Sequence, residues 1–455
     1  MLKPLIPALA LVALSAAVCV SVYPSKVQSQ TTITEQRSRF DNKTRSERFT
    51  QSGTFDHEVN PGAALTRPTE APAGFDNLTN GFLPQGTRAF SDINKDNVQA
   101  GSFNDNRFIF EEREEVADGL GPTYNAQSCS ECHQNVVTGG ASQIAEHRTG
   151  HVTEGQFFNS QGGSVIQSRA TYPDLVEHVM VEDDVRTFRI STNTLGNGFV
   201  EAIANDTLIS IRDHQPPAMR GTAVMVPVLE ASNKPRIGRF GWKGQHASLK
   251  SFAGDAYLNE MGITSPLFPD ENPSGKIEVK GTAYDPVPDP EDDGGDLDAF
   301  ADFMRSTKAP SRGPITDAVS AGDTLFKQIG CAICHTANIV TAPAGTPING
   351  GTLTVHPALG NKIIHPYSDY LLHDIATGDG IPIQPTAQYA ATANQIRTAP
   401  LWALRTRNRL MHDGLSFTLQ EAIARHGGQA AAVTAIYNAL SDVEKANLIA
   451  FLNSL

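Results

Sequence analysis

The sequence contains two short motifs of identical spacing, Cys129-Ser130-Glu131-Cys132-His133 and Cys331-Ala332-Ile333-Cys334-His335. In each motif two cysteines stand three residues apart, and a histidine follows the second cysteine directly. On one helical turn, cysteines at this spacing reach the two vinyl groups of one porphyrin, and the adjacent histidine projects its imidazole at the iron. The motifs therefore predict two covalently attached haem c groups, with His133 and His335 as proximal iron ligands.

Zinc and dithiol sites are the other interpretations of paired cysteines. A zinc site would need the two pairs close together, whereas about 200 residues of sequence separate them. A thioredoxin-type redox pair gives no reason for a histidine after both pairs. The chain has five cysteines, and Cys19 is the one outside the motifs. The cysteine pattern therefore favours haem attachment over both alternatives.

The N-terminal residues predict export. Met1-Leu2-Lys3 gives a positive start, residues 4–22 are nearly all apolar or small, and polar sequence follows. This is the pattern of a secretory signal, with Val27-Gln28-Ser29 as an acceptable cleavage site. The alternatives are lipidation at Cys19, which the bulky residue before it disfavours, and an uncleaved anchor. We expect residues 1–29 to be a signal peptide and the protein to reach the periplasm, with membrane contact only under those two alternatives.

Composition and charge limit the possible partners. The chain has 455 residues, is 40% hydrophobic, contains 38 glycines and 28 prolines, and carries a formal net charge of -13. This length predicts two or three domains. An acidic balance argues against non-specific binding to nucleic acid or to anionic membrane surfaces. It fits a soluble protein that meets a basic partner.

The chain divides into four parts by composition. After the signal peptide, residues 30–85 are polar and predict an N-terminal extension. Residues 86–310 are the predicted N-terminal haem domain, and residues 311–455 are the predicted C-terminal cytochrome c domain. Within the first domain, residues 285–298 are rich in Pro, Gly and acid. Because their spacing matches no calcium loop, we interpret them as a solvated linker.

Local patterns predict a mainly α fold: two cytochrome c-like haem domains, the N-terminal one enlarged by loops and short strands. A helix is expected from Asp296 to Ser306, with acidic residues at its start as the helix dipole prefers. Another is expected from Ala318 to Ile329, leading into the second motif. Ser441 and Glu444 form a capping box before an apolar helix face, and this last helix should cross the first one of its domain. β-Branched residues make short strands possible between Phe188 and Ile211.

The second haem needs a sixth ligand if it transfers electrons. Met411, about 75 residues after His335, is the candidate from the segment Arg409-Leu410-Met411-His412-Asp413-Gly414. The alternatives are that Met411 only fills the core, as methionine usually does, or that His412 is the ligand.

The same region resembles the C-terminal haem domain of bacterial di-haem cytochrome c peroxidases, through residues 397–402, 411–414 and 421–422. That resemblance implies Met411 as the axial ligand. Further segments are more similar to a branch of that superfamily, the di-haem oxidoreductases also called thiol oxidoreductase-like. Between residues 100 and 455 these segments are Gly119–Pro122, Asn197–Ile203, Gly238–Lys243, Glu260–Thr264, Pro366–Asp369, Leu371–Asp374 and His426–Gly428.

The resemblance implies roles for two residues of the first domain. Trp242 would lie between the two haems and carry electrons, although a tryptophan in the core is the alternative. Glu260 would be the acid–base group beside the N-terminal, peroxidatic haem. This chain departs from the peroxidases in having Lys243-Gly244-Gln245 after the tryptophan and Phe252 at the position of a pocket glutamine. A pocket lined by Phe252 is more apolar and less suited to hydrogen peroxide.

The resemblance also raises expectations about histidines and calcium. A distal histidine that holds some of these peroxidases inactive would be His147 or His151, either of which is otherwise a surface histidine. Thr398 and Pro400 match positions whose carbonyls help to bind an inter-domain calcium. Histidines that could line the haem cleft, or could be structural, are His365, His373 and His426.

We therefore expect a peroxidase-like di-haem oxidoreductase. A small redox protein would donate electrons to the C-terminal haem, and they would pass by Trp242 to the N-terminal haem, which reduces peroxide or another small oxidant. One alternative is oxidation of a protein side chain, or cleavage of an apolar substrate with oxygen, by the same two haems. The other is a non-catalytic electron carrier, which the large N-terminal domain argues against.

Overall fold

The computed structural model describes residues 58, 67–86, 101–160, 162–274 and 277–455. The predicted signal peptide, residues 1–29, lies outside the described residues, as does much of the predicted extension. Residues 56–455 form one compact unit. In the described part of the chain, no helix has the length and apolar character needed to span a membrane.

Helices make up the larger share of the regular structure. The α-helices of the described residues are α1 (Phe103–Glu111), α2 (Cys129–Cys132), α3 (Asn197–Glu201), α4 (Asn205–His214), α5 (Leu249–Ala256), α6 (Gly295–Ser306), α7 (Asp317–Gln328), α8 (Leu419–Ala424), α9 (Ala431–Ala439) and α10 (Asp442–Leu452). A π-helical turn, Tyr257–Met261, directly continues α5.

The strands are short. They are β1 (Thr69–Glu70), β2 (Thr123–Tyr124), β3 (Ala145–Thr153), β4 (Gln156–Asn159), β5 (Val165–Ile166), β6 (Arg169–Ala170), β7 (Val185–Ile190), β8 (Met225–Val228), β9 (Lys234–Ile237), β10 (Ile339–Val340), β11 (Pro347–Ile348), β12 (Leu353–Thr354), β13 (Lys362–Ile364), β14 (Leu372–His373) and β15 (Ile396–Arg397). The expectation of a mainly α fold with short strands is confirmed for the secondary-structure content of the described residues.

Helices α1, α5 and α6 build the core beside the first motif. Ser102 begins α1 with a capping box, since its hydroxyl accepts from the amide of Asp105 and the Asp105 carboxylate accepts in return. The ring of Phe110 on α1 lies 4.7 Å from that of Phe303 on α6, centroid to centroid. Burying each such ring is worth about 2–3 kcal/mol, so α1 is held by packing and not by helix propensity alone.

Helices α7 and α10 cross beside the second motif, as predicted. The rings of Phe326 on α7 and Phe451 on α10 pack against each other with centroids 5.1 Å apart and planes at 56°. The capping box of Ser441 and Glu444 is present at the start of α10. The predicted helices near 296–306 and 318–329 are confirmed as α6 and α7.

Two local predictions were only partly confirmed. Between Phe188 and Ile211 only the end of β7 is a strand, because Gly196 turns the chain with φ 78° into the fully buried helix α3, and packing overrides β propensity there. The predicted linker 285–298 is not solvated throughout. Asp292 is buried, and its amide donates to the carbonyl of Thr264 at 3.1 Å.

Residues that follow the second motif pack against the first core. Strand β13 lies between β10, which is antiparallel, and β1, which is parallel and comes from the predicted extension. Six buried apolar residues between positions 339 and 364 contribute to the first core: Ile339, Ala342, Ile348, Val355, Leu359 and Ile364. The domain boundary near residue 310 stays a prediction.

Candidate active site

A cavity of about 270 Å³ lies against the first motif. Cys129, Cys132 and His133 line it, with both cysteines on the single turn α2. Strand β3, helix α5 and the π-helical turn supply other walls. The cysteines are not joined to each other, so both thiols are available for bonding to another group.

A second cavity of about 180 Å³ lies against the second motif. Its walls are mostly apolar and come from α7, α8, α9 and α10. The polar or sulfur-containing side chains that line it include those of the motif, Cys331, Cys334 and His335, and those of Met219, His373, Met411, His412 and His426.

Both motif histidines have the tautomer that a metal ligand needs. Nδ1 of His133 lies 3.3 Å from the carbonyl oxygen of Gly140, and Nδ1 of His335 lies 2.9 Å from that of Tyr367. Because a carbonyl only accepts, each Nδ1 carries the proton, and Nε2 keeps a lone pair for iron. Burial lowers the pKa of His133, and it lowers that of His335 to about 4, so both rings are neutral at pH 7.

These donor sets fit a haem at each motif. Burial raises the pKa of the Cys132 and Cys331 thiols to about 12, which makes a reactive dithiol a poor account of either pair. Each cavity combines unpaired thiols, a neutral histidine and a largely apolar lining, the environment in which a porphyrin is held. Cys334 also lies near Asp369 and His373, but its place in the second motif accounts for it.

Trp242 lines both cavities. Its ring is buried, and the indole Nε1 donates to the carbonyl oxygen of Ile190 at 2.7 Å. Its own carbonyl accepts from the amide of Arg397 at 2.8 Å. The ring is therefore held in one position between the two motifs, where the resemblance predicts it.

Glu260 lies on the π-helical turn and lines the first cavity. Asn125 Nδ2 donates to its Oε2 at 2.8 Å, and the amide of Asn125 donates to its carbonyl at 2.7 Å. Burial first, and then the nearby negative charge of Glu146, raise the pKa of Glu260 well above its ordinary value. The site therefore favours the protonated form of Glu260.

A second carboxyl, Glu146 on β3, completes this site and was missed in the sequence. It hydrogen-bonds with Glu260 and also accepts from Nε of Arg148. Burial alone would raise its pKa, but Arg148 and the bond from Glu260 hold it at about 2. One proton thus sits on Glu260 and faces a carboxylate. The sequence did contain one indication of this site: Glu146 and Arg148 stand two residues apart, so on a strand their side chains point to the same face.

The departures from the peroxidase pattern lie in two different places. Phe252 lines the first cavity and stacks on Phe240 with centroids 6.0 Å apart. Lys243 is buried away from that cavity, with its ammonium 3.0 Å from Asp379 Oδ1. Burial would raise the pKa of Asp379, but Arg189 and Lys243 hold it at about 2. This ion network ties the tryptophan segment to residues that follow the second motif.

The remaining predicted histidines separate by position. His147 lines the first cavity and stacks on Phe188, whereas His151 stacks on Phe158 and is not among the lining residues. His365 is exposed and lies between Asn338 and Glu70. His373 and His426 line the second cavity.

At the predicted calcium position near Pro400, the carbonyl oxygen of Thr398 already accepts hydrogen bonds from other residues. The Thr398 oxygen accepts from the Ser368 hydroxyl at 2.6 Å and from Arg397 at 3.3 Å. Calcium binding at this position stays a prediction.

Comparison with known proteins identifies the family. The family described as "Di-haem oxidoreductase, putative peroxidase" matches residues 158–455, well over half of the chain. This chain belongs to the di-haem oxidoreductase family. Membership implies two haem cofactors and an oxidoreductase of the peroxidase type. The match begins after the first motif, so the assignment of Cys129–His133 to a haem depends on the motif and on the cavity beside it.

The solved structures that align with this chain are distant from it. A hydrazine synthase of Kuenenia stuttgartiensis is 14% identical, covers 91% of this chain and 100% of its own, and gives a TM-score of 0.37. A MauG-like protein associated with microbial copper homeostasis is 16% identical (87% and 95% coverage, TM-score 0.36). The di-haem peroxidase BthA of Burkholderia thailandensis is 13% identical (86% and 95% coverage, TM-score 0.37). No curated protein sequence matches the chain.

Proposed function

We propose that this di-haem oxidoreductase is an exported c-type cytochrome that reduces peroxide at the first cavity and receives electrons at the second. Thioethers from Cys129, Cys132, Cys331 and Cys334 would attach the two haems. Each haem, when bound, supplies an iron that accepts or delivers one electron at a time.

The observation that carries the proposal is the Glu260–Glu146 pair in the first cavity. Reduction of hydrogen peroxide to two waters consumes two electrons and two protons, and the departing oxygen must receive a proton. In this proposal Glu260, whose pKa is raised by burial and by the charge of Glu146, donates that proton inside the cavity, and Glu146, kept ionised by Arg148, fixes the proton's position. Among the described residues, the side chains that line the second cavity include no Asp or Glu, which supports catalysis at the first cavity and electron entry at the second.

The electron route follows from the position of Trp242. An aromatic ring that lines both cavities shortens the distance that electrons cross between the two motifs. In this proposal a small redox protein in the periplasm donates to the second haem. The net charge of -13 favours a basic donor, because opposite charge speeds encounter.

Phe252 supports a second candidate function, the oxidation of a larger apolar substrate or of a protein side chain. Its ring in the cavity wall offers dispersion contact and no hydrogen bond to a peroxide. The same two haems and the same acid would serve that reaction. A non-catalytic electron carrier gives no reason for a buried acid pair beside one haem.

Optical and EPR spectra of the oxidised and half-reduced protein, before and after hydrogen peroxide, test the proposal. We expect one high-spin haem that peroxide converts, with turnover of a reduced small cytochrome. In E260Q, turnover should fall by about 10²–10⁴-fold, the usual worth of a general acid, with haem content unchanged. E154Q, at the exposed turn between β3 and β4, should keep wild-type turnover. Two low-spin haems indifferent to peroxide at every reduction level would contradict the proposal.

A further inference from the structure

Four carboxylates converge on one point beside the predicted linker. Glu271, Asp285, Asp289 and Glu291 each offer an oxygen atom, and these atoms all lie within 4.8 Å of one another. They come from the irregular segment between the π-helical turn and α6. Four like charges at this separation repel one another strongly in a partly buried setting, so the cluster needs positive charge or bound protons.

Glu271 supplies a second, independent observation. Its side chain is only 8% exposed, and its Oε1 atom is buried without a hydrogen-bond partner. A buried carboxylate oxygen without a partner carries its full desolvation cost. Burial, and then the charges of its three neighbours, raise the pKa of Glu271 to about 9. Glu271 also offers one of its carboxylate oxygens to the cluster, where a cation would satisfy the buried carboxyl group.

The nearest cation among the described residues is Lys280, which lies at the edge of the carboxylate cluster. The Lys280 ammonium lies 2.7 Å from Asp270 Oδ1 and 3.4 Å from Asp289 Oδ2, and it donates to the carbonyl of Pro269. Its side chain is nearly half exposed, so water screens it. Lys280 therefore offsets part of the charge on Asp289, whereas the side-chain hydrogen-bond neighbour of Glu271 is another acid, Glu291.

Neutral groups hold the carboxylates in place. The amide of Thr264 donates to Glu291 Oε2 at 2.8 Å, and the Thr264 hydroxyl donates to Asp289 Oδ1 at 3.1 Å. The amide of Gly281 donates to Asp285 Oδ2 at 3.0 Å. The ligand oxygens are thus positioned before any ion arrives, which lowers the entropic cost of binding.

From this geometry we infer that Glu271, Asp285, Asp289 and Glu291 bind a calcium ion. Hard divalent cations take oxygen ligands, and the cluster contains no histidine or cysteine that would favour a transition metal. Calcium accepts six to eight oxygens in flexible geometry, whereas magnesium retains several waters and rarely uses an all-protein cage. The inference goes beyond the redox function and does not depend on it.

The proposed calcium site adjoins one wall of the first cavity. Thr264 follows the π-helical turn that carries Glu260, and Asn272, next to Glu271, donates to Asn259 Oδ1 at 3.2 Å. On the other side, Glu291 packs on Gly119, where a Cβ atom would lie 2.5 Å from the Glu291 Cγ atom. A bound ion would therefore join the segment before the first motif to the turn that carries Glu260.

Calcium titration of the chelator-treated holoprotein, followed by calorimetry and thermal melting, tests the inference. We expect one calcium per chain and a rise in melting temperature that an equal concentration of magnesium does not match. E271Q should bind calcium at least tenfold more weakly and lose that rise. Without calcium, E271Q should melt no lower than wild type, because Glu271, with its pKa raised to about 9, is already uncharged at neutral pH and glutamine has nearly the same size and shape. E278Q, an exposed change in the same segment, should bind as wild type does.

Three outcomes would overturn the inference: no calcium uptake, equal stabilisation by magnesium, or calcium binding in E271Q as tight as in wild type. The last would point to another site, such as the carbonyls near Thr398. If E271Q fails to retain its haems, D285N replaces it, since Asp285 is more exposed and contributes the same kind of ligand. Calorimetry reports binding without turnover, so failure here leaves the proposed peroxidase function untouched.

Discussion

The indole ring of Trp242 meets the imidazole of His412 edge-on, with ring centroids 6.2 Å apart and planes at 69°. Trp242 lines both cavities, and His412 lines the second. His412 is buried, and its Nδ1 atom has no hydrogen-bond partner among the described residues. The two rings form an aromatic bridge from one motif to the other, and His412 directly follows the candidate ligand Met411.

Replacing Trp242 by phenylalanine should slow electron transfer between the haems. The smaller ring loses both the bond to Ile190 and part of the bridge to His412. We expect a fall of at least tenfold, about 1.4 kcal/mol of activation free energy, in stopped-flow traces of the half-reduced protein. W402F is the matched control, because Trp402 is also buried but lines neither cavity. Equal slowing in both variants would contradict a route through Trp242.

Replacing Glu146 by glutamine should move the pH dependence of turnover. Glu260 acts when protonated, so activity is present below its raised pKa and is lost as pH rises through it. Burial still raises that pKa in E146Q, but the charge of Glu146 no longer adds to it, and Arg148, freed from its partner, lowers it. The alkaline limb of kcat/KM should therefore shift to lower pH. An unchanged limb, or a shift to higher pH, would contradict the shared-proton pair.

Replacing Met411 by alanine should change the spin state of the second haem. Met411 has φ 66°, a left-handed conformation uncommon for residues other than glycine and often found at ligand sites. If Met411 is the axial ligand, M411A should give a high-spin EPR signal at the second haem and lower its reduction potential. M219A, which changes the other methionine lining that cavity, should keep the low-spin signal. The reverse result would assign the ligand to Met219, and no change in either variant would favour a histidine.

Replacing Phe252 by glutamine should alter the preference between substrates. A polar side chain in the cavity wall can hydrogen-bond a small peroxide but loses dispersion contact with an apolar one. We expect the ratio of kcat/KM for hydrogen peroxide over cumene hydroperoxide to rise by about tenfold. F158Q, on strand β4 outside the cavity, should leave the ratio unchanged. A constant ratio in F252Q would remove Phe252 as a determinant of substrate.

Spacing along the chain was sufficient to predict much of the fold. The two motifs, the helix near 296–306, and the crossing of the helices that begin near residues 318 and 442 all depend on contacts within a turn or on apolar periodicity, which a sequence displays directly. The resemblance pointed to Trp242 and Glu260, and both line the first cavity. Their chemical roles stay predictions until the variants are measured.

Other features depend on residues that are far apart in sequence. Glu146 reaches Glu260, Lys243 reaches Asp379, and Glu271 reaches Glu291, and none of these contacts follows from local spacing. An isolated acid resembles any other solvated acid, and only burial beside like charge shifts its pKa. The sequence alone thus determined where the two haem motifs lie and that the segments near 296–306, 318–329 and 442–452 are helical. The tertiary structure decided which carboxyl keeps its proton and which carboxylates meet, because both depend on desolvation and on charges brought together by folding.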